Sequence, residues 1–229
     1  MPTGSTSHRL RPFQPTRFGR YTLLAPLSTG VMGELFLARI DGAKGLERLC
    51  VIKRMLPQFA NDREFVERFT AEARTLLTLS HGNIAQILDA SVHEGTPFIA
   101  LEYVDGKDLA RVLSRMKERG LSVPLSFTLT VACRVLEALA LAHRKRGDDG
   151  KELGLVHRDV SASNVVISYD GEVKVIDFGL AKSAFSTAKT NPGTGLLGLR
   201  SMAPEQARSQ QVDRRADVYA LGLVLFEMV

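Results

Sequence analysis

Residues 164–177 constrain the fold more than any other stretch. Val165-Val166-Ile167-Ser168 and Val173-Lys174-Val175-Ile176 are short β-branched runs on either side of Tyr169-Asp170-Gly171-Glu172. Asp-Gly between such runs is a strong hairpin signal, because a two-residue turn that matches strand twist needs positive φ at its central positions. With Asp170 and Gly171 as the turn, Val165 faces Ile176 and Asn164 faces Asp177, with Cβ atoms roughly 5 Å apart. A longer loop would slip this register by one residue. An amide oxygen and a carboxylate that close can share one hard cation such as Mg²⁺, which takes oxygen ligands. Asp159 lies five residues before Asn164, at the same end of the hairpin. It supplies a second carboxylate, free to accept a proton.

Upstream, Tyr21–Leu27, Glu34–Ile40 and Leu49–Met55 are short apolar or alternating runs separated by glycine-containing turns, and Ile84–Leu88 and Phe98–Val104 read as two more strands. A helix is predicted from about Asp62 to Leu79. Two charges stand out. Leu49, Val51, Lys53 and Met55 share one strand face, and Phe65, Phe69, Glu72 and Leu76 share one helical stripe. A cation and an anion on facing apolar surfaces suggest an ion pair, since an unpaired buried charge is costly; the alternative is that Lys53 snorkels to water and Glu72 sits at the stripe's edge. After Val123 the character changes. Leu125 to Arg144 reads as a long buried helix, and a last apolar helix begins near Arg215.

Composition narrows the function classes. With 45% hydrophobic and 24% charged residues the chain has the balance of a soluble globular domain, which argues against disorder or a fibrous fold. The net charge of +5 is concentrated at the start: residues 1–20 carry Arg9, Arg11, Arg17 and Arg20 and no acid. With Pro2, Pro12 and Pro15 among them, residues 1–17 are expected to be a disordered basic leader. No recognisable binding module follows it, so no nucleic-acid partner is expected. Cys50 and Cys133 each lie in an apolar run, which fits buried thiols in a reducing, cytoplasmic setting. No membrane segment is expected, because the longest apolar run, Val131 to His143, is interrupted by Arg134 and Glu137.

A metal-binding pair beside a proton-accepting carboxylate is what phosphoryl transfer requires. His157-Arg158-Asp159-Val160-Ser161-Ala162-Ser163-Asn164, followed by Asp177-Phe178-Gly179 and Ala203-Pro204-Glu205, resembles the catalytic core of the eukaryotic-like, or Hanks-type, protein kinases, including many bacterial serine/threonine kinases. The resemblance covers roughly residues 18–229. It implies an α+β, bilobal fold: a small antiparallel sheet lobe with one helix (about 18–104), a hinge (about 102–106) and a mainly α-helical large lobe (about 107–229). It further implies that ATP and Mg²⁺ are the cofactors and that proteins are the substrates, with dimerisation as a route to autophosphorylation.

Residue by residue, the resemblance makes Lys53, in Val51-Ile52-Lys53, the phosphate-binding lysine and Glu72 the glutamate that orients it. Asp159 becomes the catalytic aspartate, and Asn164 and Asp177 the Mg²⁺ ligands. Glu102 and Val104 lie where the hinge backbone holds adenine, with Leu101 as gatekeeper and Leu27, Leu35 and Val166 around the ring. Ser28, Gly30 and Gly33 form the phosphate loop, with serine in place of its first glycine. Arg158 implies control by phosphorylation of the loop 183–201, at Ser183, Ser186, Thr187, Thr190 or Thr194. Ser161 replaces a lysine usual in serine/threonine kinases, and Gly198 and Ser201 replace a usual threonine and tyrosine. The chain stops at Val229 inside an apolar helix, so the large lobe is expected to be incomplete. An ATP-dependent serine/threonine kinase is the leading reading; a truncated, catalytically weak kinase-like binding module is the alternative.

Overall fold

The computed structural model describes residues 13–30, 33–41, 47–178 and 202–229. The first half is one antiparallel sheet of six strands: β1 (Thr16–Phe18), β2 (Tyr21–Thr29), β3 (Gly33–Asp41), β4 (Glu47–Met55), β5 (Ile87–His93) and β6 (Thr96–Glu102). Their spatial order is β1-β2-β3-β4-β6-β5. Thr16 and Arg17, expected in the leader, are already strand, paired with Leu23 and Thr22, and Arg17 is ion-paired with Asp41. The ordered sheet therefore begins inside the segment assigned to the disordered leader; residues 1–12 lie outside the described residues.

β4 is buried on both faces because it is central. Cys50 and Ile52 pack with Tyr21, Leu23, Phe36, Ala38, Phe98 and Ala100 in a core enclosed by the curled sheet. Lys53 and Met55 face the other way, while Leu49, expected beside them, is exposed. Strand β5 lies three residues later than predicted. Glu94 and Gly95, with φ of 48° and 75°, form the two-residue turn joining His93 to Thr96, a conformation that such hairpins favour. Ile84 and Ala85 instead bond across the molecule to Val175.

Two helices follow β4, where one was expected. The one-turn α1 (Pro57–Ala60) precedes α2 (Arg63–Leu77), whose first turn is capped by Asp62 Oδ1 accepting from the Phe65 amide at 3.1 Å. Phe65, Phe69, Ala73 and Leu76 form its buried stripe, and Glu72 sits half-buried at the edge of that stripe.

The rest is mainly helical around a three-stranded sheet of β7 (Gly106–Asp108), β8 (Val165–Ser168) and β9 (Val173–Val175). Helix α3 (Leu109–Glu118) was not foreseen, although Asp108 caps it and Leu109, Val112, Leu113 and Met116 have helical spacing. Helix α4 (Leu125–His143) is long and apolar enough to meet the length and composition of a membrane span despite Arg134 and Glu137, a test that the core helix of a soluble protein also passes. Those two residues pair with each other at 2.9 Å, whereas Val131, Val135, Ala138, Leu139 and Ala142 are buried. Cys133 lies on the exposed side of α4, so only Cys50 fits the expectation of buried thiols. Two more helices, α5 (Pro204–Ala207) and α6 (Arg215–Glu227), complete the described chain. Met55, Phe65, Phe69, Leu76 and Ile99 from the first half share one core with Leu109, Val131, Leu139, Val165, Phe178 and Val224. Both lobes therefore pack on one continuous apolar seam, and the cleft lies at its edge.

Candidate active site

The hairpin forms, but in the slipped register. Val165 pairs with Val175 and Ile167 with Val173, leaving a three-residue loop, Tyr169-Asp170-Gly171, with Gly171 at φ 86°. Ser168 and Glu172 close it at 2.8 Å. A three-residue loop ending in a left-handed glycine is the next commonest hairpin after the two-residue turn, and it moves every partner by one position. Asn164 therefore faces Ile176, whose amide donates to the Asn164 carbonyl at 2.9 Å. Asp177 lies one residue beyond, at φ 60°.

That displacement still leaves Asp177 in the cleft, and its carboxylate Oδ1 accepts from Lys53 Nζ. Lys53 is held in the middle of β4, opposite Leu35 on β3 and Ile99 on β6, and is only 9% exposed. A buried ammonium requires such a partner. Two walls of the cleft are thus tied by one ion pair.

Asn164 ends a single 3-10 turn, Ala162–Asn164. Its Nδ2 donates to the Asp159 carbonyl at 2.9 Å and to Asp159 Oδ2 at 3.1 Å. Using its N–H₂ on Asp159 leaves the amide oxygen as the group able to face a cation. Asp177 likewise keeps Oδ2 beyond its bond to Lys53. Two oxygen donors fit Mg²⁺, which is commonly bound by one or two protein carboxylates together with substrate phosphates. Among the described residues no cluster of three His, Cys, Asp or Glu offers a complete protein-only metal cage.

The wall carrying Asp159 is built by residues that sequence reasoning missed. Asp217 on α6 is fully buried; its Oδ2 accepts from the His157 amide and its Oδ1 from the Arg158 amide, both at 2.8 Å. His143, at the end of α4, lies 2.8 Å from Asp217 Oδ2. His157 Nδ1 accepts from the Asp159 amide at 3.2 Å, so its Nε2–H donates to the Ile176 carbonyl at 3.1 Å. That pattern needs the neutral ring, and burial pushes the His157 pKa below the usual imidazole value. Its ring packs on Phe178 at 4.5 Å. Gln206 on α5 donates to the Arg158 carbonyl at 2.9 Å. Arg158 itself is left-handed, at φ 63°. Two non-glycine residues of this site, Arg158 and Asp177, hold a conformation that costs about 1–3 kcal/mol each and persists only where the surroundings impose it.

The residues expected to face the nucleotide divide. Leu35 and Val166 are half-buried on β3 and β8, whereas Leu27 on β2 is exposed. Ser28 pairs with Leu35, and Gly30 N–H closes the turn onto the Gly33 carbonyl at 2.8 Å. A Cβ on Gly33 would meet the Arg54 carbonyl oxygen at 2.5 Å, so packing alone explains that glycine; a Cβ on Gly30 would meet no described atom nearer than the Gly33 carbonyl oxygen, at 3.7 Å. Gly30 is the one whose openness suits a close-approaching ligand. In the hinge, the Glu102 amide is committed to the Gln86 carbonyl at 2.8 Å, while no turn or loop backbone bond among the described residues uses the Val104 N–H. Glu102 Oε1 also accepts from Lys174 Nζ on β9 at 2.8 Å, a second tie between the lobes. Leu101 is half-buried and lines a small cavity with Leu76, Ile87, Asp177 and Phe178. The activation-loop positions Ser183, Ser186, Thr187, Thr190 and Thr194, with Gly198 and Ser201, lie outside the described residues.

Comparison with known proteins agrees with this fold. The family described as protein tyrosine and serine/threonine kinase matches residues 21–229. The chain is 43% identical over 210 residues to the tyrosine-protein kinase MasK of Myxococcus xanthus, covering 92% of this chain and 32% of that protein. It is 34% identical to the serine/threonine-protein kinase PrkC of Bacillus subtilis, covering 92% of this chain and 30% of the relative. With the serine/threonine-protein kinase PknA of Mycobacterium tuberculosis it shares 36% identity, over 93% of this chain and 47% of the relative. It thus spans from about a third to a half of the length of these relatives. Among solved structures, the PknI kinase domain of Mycobacterium tuberculosis superposes with a TM-score of 0.70 at 30% identity, covering 93% of this chain and 75% of that one.

Proposed function

Because the chain belongs to the protein tyrosine and serine/threonine kinase family, and to its Hanks-type bacterial branch, we propose that it is an ATP- and Mg²⁺-dependent protein kinase that phosphorylates serine or threonine hydroxyls. The observation that carries this reading is the convergence of Lys53 and Asp177 from opposite lobes beside the Asp159–Asn164 pair. Mg-ATP, when bound, supplies the phosphoryl group and the divalent charge that offsets it. Lys53 would bind the phosphates from the small-lobe wall. Asn164 and Asp177 would hold the metal. Asp159 has its backbone carbonyl and one carboxylate oxygen fixed by Asn164, so it can orient an acceptor hydroxyl and take up its proton. Positioning and fixed charge are the main means of catalysis in this class of reaction.

A second reading has specific support. Ser161 leaves the acceptor side without the lysine usual in serine/threonine kinases, and a 43% identical relative is named a tyrosine-protein kinase. Tyrosine is therefore the alternative acceptor. Radiolabel transfer from ATP, followed by phosphoamino-acid analysis, separates the two. The expected result is label on serine or threonine that drops at least about a hundredfold in Asp159→Asn, the scale of a lost general base. Phosphotyrosine would establish the second reading. Label that is unchanged in Asp159→Asn overturns the assignment, and absence of transfer despite ATP binding would favour the kinase-like binding module.

A further inference from the structure

We propose that the outer groove of α3 docks an acidic, leucine-bearing segment of the protein substrates; calling the partner a substrate rests on the kinase reading above. The groove has a volume of about 420 Å³ and lies outside the catalytic cleft. Arg111, Arg115 and Arg119 recur every four residues and line one edge, with Lys107 at its start. Val112 and Met116, also four apart, form the apolar floor. Leu121 closes the end and is 57% exposed.

That exposed leucine is held in place. Gly120, at φ 64°, donates to the Lys117 carbonyl at 3.0 Å, and Leu121 donates to the Met116 carbonyl at 2.9 Å. This pair of bonds is the glycine-ended helix stop in which the residue after the glycine packs on the last turn. Leu121 is thereby set against Met116 as a fixed apolar wall.

The charges of the groove are available. Arg111 pairs with Asp108 at 3.1 Å and Arg115 with Glu118 at 2.9 Å, but both arginine side chains are more than half exposed. Such surface pairs contribute little and exchange readily for a better carboxylate. Among the described residues Lys107 and Arg119 form no ion pair. Between residues 107 and 121 five cations face two acids. A peptide bearing carboxylates and an aliphatic anchor complements both the charges and the apolar floor of this surface, whereas nucleic acid would use only the charges, since the lining has no aromatic ring for base stacking. The strand that enters the groove borders the cleft. Lys107 is paired with Ile167 and Asp108 with Val166, so β7 leads from beside β8, the strand of Val166, directly into α3.

The test uses a short fluorescein-labelled peptide of glutamates and leucines, its glutamine counterpart, and the full chain. Fluorescence anisotropy should show the glutamate peptide binding about tenfold more tightly than the glutamine one, with the difference lost in Arg115→Glu/Arg119→Glu. Leu121→Ser, which leaves every charge in place, should weaken binding as well. In transfer assays the double variant should raise KM for a substrate carrying the acidic segment and leave kcat for a neutral substrate unchanged. Equal binding by wild type and variants, or stronger binding of an oligonucleotide or of phosphatidylserine vesicles than of the peptide, overturns the proposal. If neither substrate is phosphorylated, the kinase reading fails, and anisotropy still decides whether the groove takes an acidic peptide.

Discussion

The two walls of the cleft are built by different means. The wall bearing Lys53 is a ladder: β4 is bonded to β3 along nine residue pairs and to β6 along five, so the backbone alone fixes where the lysine stands. The wall bearing Asp159 has almost no ladder. It is a 3-10 turn and two left-handed residues, held by side chains that reach in from α4, α5 and α6. A ladder spreads its stabilisation over many equivalent bonds, whereas a polar cluster concentrates it in a few residues that cannot be replaced singly. Damage to the two walls should therefore differ in size and in kind.

The largest difference is expected at Asp217. Asp217→Ala leaves two backbone amides and His143 without their acceptor in a fully buried site, which should cost about 3–5 kcal/mol in chemical denaturation and abolish activity. On the other wall, Ile52→Val should cost about 0.5–1.5 kcal/mol and leave activity intact. Similar losses for both would remove the contrast. The glycine pair sharpens it next. Gly33→Ala drives a Cβ into the Arg54 carbonyl and should destabilise the sheet by about 1–3 kcal/mol, whereas Gly30→Ala should leave the melting temperature nearly unchanged while weakening nucleotide affinity. An unfolding defect in Gly30→Ala, or none in Gly33→Ala, would show that the roles are assigned wrongly.

The smallest effect concerns pH and belongs only to the polar wall. Folded His157 is held neutral, with its pKa below the unfolded value of about 6.5, so the unfolded chain binds the extra proton. Its contribution to stability is therefore present above about pH 6.5 and is lost as pH falls below it, by at most about 1.4 kcal/mol per pH unit. Denaturation midpoints measured from neutral to mildly acidic pH should fall more steeply for wild type than for His157→Gln, which keeps a donor and an acceptor but does not titrate. Parallel curves would contradict the neutral-ring arrangement.

Legibility in the sequence followed the same division. Period-two patterning located the strands around Lys53, because a ladder writes itself into alternating residues. It erred where local signals compete: the Asp-Gly turn took the three-residue form, Ile84–Leu88 contributed a cross-lobe bridge before β5, and α3 went unread beside the hinge. On the other wall, motif identity singled out Asp159, Asn164 and Asp177, yet nothing in the sequence assigned Asp217, His143 or Gln206 a part in holding them. Asp217 lies sixty residues from the amide of His157 that it holds. Bonds of that span leave no period, so the supports of the site emerge only when the chain is folded. The Lys174–Glu102 tie escaped notice for a similar reason, since a lysine between two valines in a hairpin reads as an ordinary solvent-facing residue.

The central claim is that these two dissimilar walls meet on one metal-bound nucleotide. Calorimetric titration of ATP into the full chain, with Mg²⁺ and with a chelator, tests it most directly, using wild type and Asp177→Asn. Wild type should bind ATP more tightly when Mg²⁺ is present, and Asp177→Asn should lose that gain while melting as a folded protein. Equal affinity with and without Mg²⁺ in wild type, or an undiminished gain in Asp177→Asn, would contradict the account.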